Sequence, residues 1–260
     1  MDFRDIPGET TRSIAFLSRL PVSDGMFGPE PWKISGAAGV FPLAGIVIAL
    51  PAALLATLLG WLDIPSALTA LLTLAAMVLV TGALHEDGLA DCADAFGAGG
   101  ARSRMLDILK DSRIGAYGTL AMIFSIGLRG VALTALIAVG PPLATALTIL
   151  AAAALSRGLM VWHWRRLPAA RTDGVSAGAG RPVPDAAYLA LAIGGLAGLL
   201  LPIAQSGFFA ALVAVLLAVL ATELWTRYVD KKLAGQTGDT IGAAQQIAET
   251  VFLVILVSAL

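Results

Sequence analysis

Seven stretches of almost unbroken apolar residues mark the chain: roughly Ile34–Gly60, Ser66–Leu84, Ala116–Val139, Leu143–Trp162, Ala187–Ala204, Phe208–Arg227 and Ile241–Leu260. Each approaches the roughly 20 residues that a helix needs to cross the hydrocarbon core of a bilayer. Three connectors are very short, "WLDIPS", "VGPP" and "QSG", and the others are long and charged. The pattern predicts an all-α, polytopic membrane bundle of about seven transmembrane helices, built as a single domain over residues 1–260.

The basic residues orient this bundle. Residues 1–33 carry Arg4, Arg12, Arg19 and Lys33, the connector from 85 to 115 carries Arg102, Arg104, Lys110 and Arg113, and that from 164 to 186 carries Arg165, Arg166, Arg171 and Arg181. Arg227, Lys231 and Lys232 follow the sixth stretch, whereas the short connectors carry no base. Bases thus alternate between sides, and the excess of positive charge marks the cytoplasmic one. The N-terminus and the long loops are expected in the cytoplasm. Trp61, Trp162, Trp164 and Trp225 fall near predicted span ends, where an interfacial belt is expected, and His163 beside two of them reads as interfacial too. Residues 12–22, "RSIAFLSRLPV", suit either a short interfacial helix or a simple lead-in to the first span. The segment 170–182, rich in Gly and small residues, reads as a mobile loop.

Composition agrees with the pattern. Of 260 residues 58% are hydrophobic and 13% charged, against roughly 25% charged in a soluble domain. A net charge of −1 points to no nucleic-acid partner. The single Cys92 excludes a disulfide framework and a thiolate metal site, and reads as a small packing residue. Asp2, Arg4, Asp5, Glu9 and Arg12 break up the start, so no secretory leader is expected.

Charge is concentrated in one place. Residues 85–115 hold Glu86, Asp87, Asp91, Asp94, Asp107 and Asp111. Asp87, Asp91 and Asp94 stand at i, i+4 and i+7, which places them on one face of a helix. Asp107 and Asp111 repeat the i, i+4 spacing. Like charges so spaced destabilise an isolated helix, and a divalent cation would relieve them. Oxygen donors without thiolates or a His pair suit Mg²⁺ or Mn²⁺. "AFGAGGA" (95–101) should break the first helix and a second should begin near Arg102, giving a cytoplasmic acidic helical hairpin between the second and third spans. Lys110 and Arg113 beside the acids suit an anionic substrate. The alternative is a solvated loop with pairs such as Arg104–Asp107 and Asp107–Lys110. His85 offers a general base, a donor to phosphate or a belt residue, and "GQTGD" (235–239) offers a turn plus Asp239. Arg129 and Arg157 fall inside predicted spans, where a cation faces the bundle interior or snorkels to the interface. Glu249, Gln245 and Gln246 are candidate partners. These residues together predict a membrane enzyme with a metal-dependent cytoplasmic site for a phosphate-containing molecule.

The acids do not follow the D-x-x-D-G-x-x-A-R pattern of the CDP-alcohol phosphotransferases. Instead "LHEDGLADCADAF" (84–96) followed by "ILKDSRIGAYG" (108–118) resembles the signature of the cobalamin synthase family, the adenosylcobinamide-GDP ribazoletransferases of bacteria and archaea. "FLSRLPV" (16–22), "FPLAG" (41–45) and "GQTGDTIGAAQQIAE" (235–249) agree in order, and Ala95 stands where the family is expected to have Gly. The resemblance implies Mg²⁺-dependent transfer of adenosylcobinamide phosphate from adenosylcobinamide-GDP to α-ribazole or its 5′-phosphate, with release of GMP. It implies Asp87, Asp91 and Asp94 as metal ligands. Asp111 would complete the shell or take the proton, and His85 joins it as a catalytic candidate. Lys110, Arg113, Arg129 and Asp239 would bind substrate. Competing readings are a transporter or channel, which Arg129 and Arg157 favour, and a phosphotransferase acting on a lipid alcohol.

Overall fold

The computed structural model describes residues 5–23, 33–111, 113–173 and 178–258. Asp2, Arg4, the centre of the 170–182 loop and the last two residues of the seventh apolar stretch lie outside the described residues. The described chain is all-α, and its β-type pairing is an isolated parallel bridge between Ala169 and Gln236. The helices in order are α1 (Ile6–Leu17), α2 (Ile34–Ala37), a 3-10 turn (Ala38–Val40), α3 (Phe41–Trp61), α4 (Ser66–Thr81), α5 (Leu84–Ala98), α6 (Arg102–Ile108), α7 (Ala116–Val139), α8 (Pro142–Arg166), α9 (Pro184–Leu200), α10 (Ile203–Leu233) and α11 (Gly238–Val257).

This is a multi-spanning helical membrane protein. Among the described residues five segments are long and apolar enough to cross a bilayer: Ile34–Trp61, Ala116–Val139, Pro142–Arg166, Ile203–Leu233 and Gly238–Val257. A sixth is reached if α4 and α5, bent by 89° at their junction, count as one broken span. The predicted second and fifth stretches form helices at their expected places, but α4 has 16 residues and α9 has 17. Leu54, Leu79, Val131 and Phe209 expose 66%, 73%, 71% and 80% of their surface. Bulky apolar side chains so exposed on every side are what lipid, rather than water, accommodates.

The Ala-rich α8 is the central post, with α3, α9, α10 and α11 packed around it. Ala151, Ala152, Ala153 and Ala154 are almost wholly buried there. Small residues let helix backbones approach where no hydrophobic driving force separates protein from lipid. α10 is broken near its start at Gly207, whose φ of 79° and ψ of 166° interrupt the helix. That break coincides with the predicted "QSG" connector.

Candidate active site

The acidic helix α5 owes its direction to two residues. Gly82 and Ala83 both adopt left-handed backbone, at φ 65° and 61°. A left-handed conformation costs a non-glycine residue roughly 1–2 kcal/mol, so packing must hold Ala83 there. The Arg19 N–H donates to the Val80 carbonyl at 2.7 Å and pins the chain after α1 onto the bend. α5 then buries His85, Glu86, Gly88, Ala90, Cys92 and Ala95. Asp87 stays exposed, and Asp91 and Asp94 are half-buried. Cys92 packs with Ala95, Met105 and Leu109, as expected of a small core residue.

The second wall comes from the start of α11. Thr237 caps it reciprocally: its hydroxyl accepts from the Thr240 N–H at 3.3 Å, and its own N–H donates to the Thr240 hydroxyl at 3.0 Å. Such a box satisfies two amides that a helix start leaves free. The Thr240 hydroxyl also lies 3.2 Å from His163 Nε2, whose Nδ1 is 2.9 Å from the Thr226 hydroxyl. The Trp225 indole N–H donates to the Thr240 carbonyl at 3.0 Å. A cap held at this many points leaves Asp239 little freedom. Gly88 of α5 packs against the Asp239 backbone, which brings the two acidic segments together. The loop after α8 closes the third side. The Ala170 N–H donates to the Gln236 carbonyl and the Gln236 N–H to the Pro168 carbonyl, both at 2.8 Å. Arg171 follows directly, and its Nε and Nη1 are buried without a hydrogen-bond partner among the described residues.

These elements enclose a cavity of about 290 Å³ at one end of the bundle. Its polar lining is the rim of Asp87, Asp239 and Arg171 together with the buried His85, and its apolar lining includes Phe16, Phe41, Met160 and Trp164. The electrostatics of the rim are strongly negative. The Asp91 carboxyl is pushed up to about 7, first by burial and then by Asp87, Asp239, Asp94 and Asp111. The His85 imidazole is driven the other way, well below its usual range, by burial and by Arg157 and Arg129. His85 is therefore neutral, and its Nε2 has no partner among the described residues.

The structure divides the other sequence candidates. Asp94 turns to α7, where its two oxygens accept from the Gly115 and Gly118 N–H groups at 2.7 and 2.9 Å. It caps that helix, and each oxygen keeps a free lone pair. Asp111 is engaged by Arg113, whose guanidinium donates to its Oδ2 at 2.6 Å. Lys110 reaches Asp173 at 2.7 Å rather than Asp107. Asp111, Arg113 and Lys110 do not line the cavity. Arg129 lies in the bundle interior, 1% exposed, and pairs with Glu249 at 3.0 Å and Glu86 at 3.2 Å. Arg157 is also buried and donates to the Ala153 carbonyl at 3.1 Å, so it does not snorkel. Two belt assignments are corrected. Trp164 is 3% exposed and lines the cavity, and His163 is fully buried between Thr226 and Thr240, so neither faces lipid. Sequence reasoning counted Arg171 only as a loop charge, and no local pattern marks it. It also placed Phe16 in either a short interfacial helix or a lead-in, and missed the aromatic wall.

Among the described residues no three His, Cys, Asp or Glu side chains already form a ready-made metal group. Mg²⁺ does not need one, since it typically takes one or two carboxylates and fills its shell with water and phosphate oxygens. The donors here are all oxygen, and the neighbouring carboxylates that add to burial in lifting Asp91 carry the kind of charge a hard dication offsets. The residues present fit such an ion.

Fold and site together define a polytopic membrane protein with a largely apolar cavity that Asp87, Asp239 and Arg171 also line. The cobalamin-5-phosphate synthase family model matches residues 10–257, and the chain belongs to that family. It is similar to the adenosylcobinamide-GDP ribazoletransferase of Sinorhizobium medicae, 49% identical with 97% of each chain covered. It is similar also to that of Rhizobium etli, 45% identical with 100% of each covered, and to that of Azorhizobium caulinodans, 44% identical with 93% of this chain and 92% of the relative covered. No solved structure matches the chain.

Proposed function

We propose that this protein is a membrane-bound transferase that moves the adenosylcobinamide-phosphate group of adenosylcobinamide-GDP onto α-ribazole or its 5′-phosphate. The ribazole 3′-hydroxyl forms a new P–O bond to the phosphorus on the cobinamide side. The bridging P–O bond breaks, GMP leaves with the bridging oxygen, and the hydroxyl proton passes to a carboxylate of the site. Adenosylcobalamin, or its phosphate, is the product. Near full-length similarity to ribazoletransferases supports the reaction. The observation that carries the site is the meeting of Asp87 and Asp239, from different helices, on one cavity rim with Arg171.

Asp87 and Asp239, the two carboxylates that line the cavity, would hold Mg²⁺, with Asp91 one turn along α5 adding its charge; when bound the ion offsets the diphosphate charge. The chain's own groups do the rest. Arg171, which lines the same cavity as Asp87 and Asp239, binds a phosphate oxygen. Arg113 and Lys110 lie outside the cavity, paired with Asp111 and Asp173, and would reach the diphosphate only by exchanging those partners for it. Asp94 and Arg129 act as positioning residues, the first by fixing the start of α7 and the second by holding Glu86 and hence α5. Preorganised charges of this kind supply most of the catalysis in phosphoryl transfer.

The site faces the cytoplasm in this reading, with seven spans in the inner membrane, α4 and α9 completing the set and α5 lying on the cytoplasmic side of the bend. The alternation of basic loops supports that orientation. The decisive assay is GMP release from adenosylcobinamide-GDP by the purified chain, with and without α-ribazole and with and without Mg²⁺. Acceptor- and Mg²⁺-dependent release is expected, with Asp87→Asn inactive. Asp63→Asn, in the turn at the opposite end of α3, should be silent. Equal release without any acceptor would overturn the transfer reaction.

A further inference from the structure

The cavity raises a question that the overall reaction leaves open: which part of which substrate enters it. The corrin ring system is far too large for about 290 Å³, a volume at the lower end of the roughly 300–1,000 Å³ of small-ligand sites. Two smaller pieces remain, both flat bicyclic bases: the guanine of the donor and the benzimidazole of the ribazole. They differ in hydrogen bonding. Guanine carries donors and acceptors around much of its edge, whereas a benzimidazole riboside has one free ring nitrogen and otherwise only hydrocarbon.

The wall decides between them. Phe41 and Trp164 lie with ring centroids 6.1 Å apart, and Phe16 of α1 closes over them together with Met160. The Trp164 indole N–H, which might have served a guanine, already donates to the Gly180 carbonyl at 3.0 Å. Leaving the polar edge of guanine unpaired against such a wall would cost about 1–3 kcal/mol per group. The benzimidazole asks for apolar contact on both faces and along most of its edge, which Phe16, Phe41, Met160 and Trp164 supply. The rim, with Asp87, Asp239 and Arg171, then stands where the attached ribose must lie.

We propose that this cavity is the acceptor subsite: the aromatic base of ribazole enters it between Phe16, Phe41 and Trp164, and the donor stays outside at the acidic rim. This rests on the transferase reading above. It also accounts for α1, which lays Phe16, 41% exposed, over the cavity while Leu17 beside it is 1% exposed and anchors the helix.

The test is a titration of α-ribazole into the detergent-purified full chain with no donor present, followed by steady-state kinetics. Wild type should bind ribazole, and GDP should not displace it. Phe16→Ala, at a partly exposed position, should weaken ribazole binding about tenfold. It should raise the KM for ribazole similarly while leaving the KM for adenosylcobinamide-GDP unchanged. Met160→Phe, which fills the cavity without removing any contact at the rim, should act in the same direction. Displacement of ribazole by GDP, or a rise in the donor KM instead, would hand the cavity to guanine and overturn the inference. So would variants that bind ribazole as wild type does. Failure of the transferase reading looks different: ribazole binds and Phe16→Ala weakens it, yet no GMP is released.

Discussion

Gly88 of α5 lies so close to Asp239 of α11 that a methyl group on it would stand 2.8 Å from the Asp239 carbonyl oxygen and 3.0 Å from its α-carbon. This approach, between residues 151 positions apart in sequence, assembles the site. It also gives a reason for the glycine that directly follows the first aspartate of the motif. A side chain there pushes against backbone, which cannot rotate away.

Gly88→Ala is therefore expected to separate Asp87 from Asp239. Overpacking of this kind costs about 1–3 kcal/mol, which a bundle of this size survives. Transferase turnover should fall at least tenfold while the protein still inserts and purifies. Activity and thermal melting of one preparation check this, and a variant that keeps full activity would show that the approach has no catalytic purpose.

Asp94 and Asp87 sit on the same helical face, but the structure gives them different work, so their variants should part. Asp94→Ala removes the acceptor for the Gly115 and Gly118 N–H groups. Loss of such a cap costs about 0.5–2 kcal/mol, and melting should drop equally with and without Mg²⁺. Asp87→Asn should leave Mg²⁺-free melting nearly unchanged and abolish the stabilisation that Mg²⁺ brings. Identical behaviour of the two variants would argue for a single shared metal shell.

The apolar runs and the placement of α5 and α6 were legible because hydrophobic pattern and glycine breaks are local signals. Gly99 ends α5 and Arg102 begins α6 as expected, and the substitution of Ala95 leaves α5 intact through Ala98. The one-face geometry of Asp87, Asp91 and Asp94 followed from helical periodicity alone. What each carboxylate meets did not, because Asp94's partners lie more than twenty residues away and Asp87's neighbour Asp239 lies on the last helix. Arg171 was hidden for the same reason: a bridge between Ala169 and Gln236 places it, and no spacing within its own loop does. Trp164 and His163 were misplaced because residues near a span end read as interfacial until the packing of α1, α10 and α11 over them is known.

Arg129 anchors the site from below. Its guanidinium joins α7 to Glu86 on α5 and Glu249 on α11. Gln246 adds a bond to Glu86 at 3.1 Å, and Gln245 one to Glu249 at 2.6 Å. Removing one member of a buried ion pair strands the other and costs about 3–5 kcal/mol. Arg129→Met should lower stability on that scale, and adding Glu249→Gln should cost less than the sum of the two single changes. Chemical denaturation in mixed micelles measures the cycle. Strict additivity would mean that the two side chains do not interact.

The raised Asp91 carboxyl makes a prediction about pH in the absence of divalent cations. Its native value is about 7 against 3.8 for the free group. Between those values the native state holds a proton that the unfolded chain has released, so Asp91's contribution to stability falls as pH rises from about 4 to about 7. His85 acts oppositely. Buried and neutral when folded, it takes up a proton on unfolding below about 6.5, so its contribution rises with pH up to that point. The two slopes overlap, and the difference between wild type and Asp91→Asn isolates the carboxyl. In Mg²⁺-free detergent, Asp91→Asn should gain melting temperature over wild type as pH rises from about 5 to about 8. Wild type alone should recover that gap when Mg²⁺ is added at the alkaline end. Parallel pH profiles for the two proteins would mean that Asp91 titrates as an ordinary surface carboxylate and that the repulsion among these acids is not built into the fold.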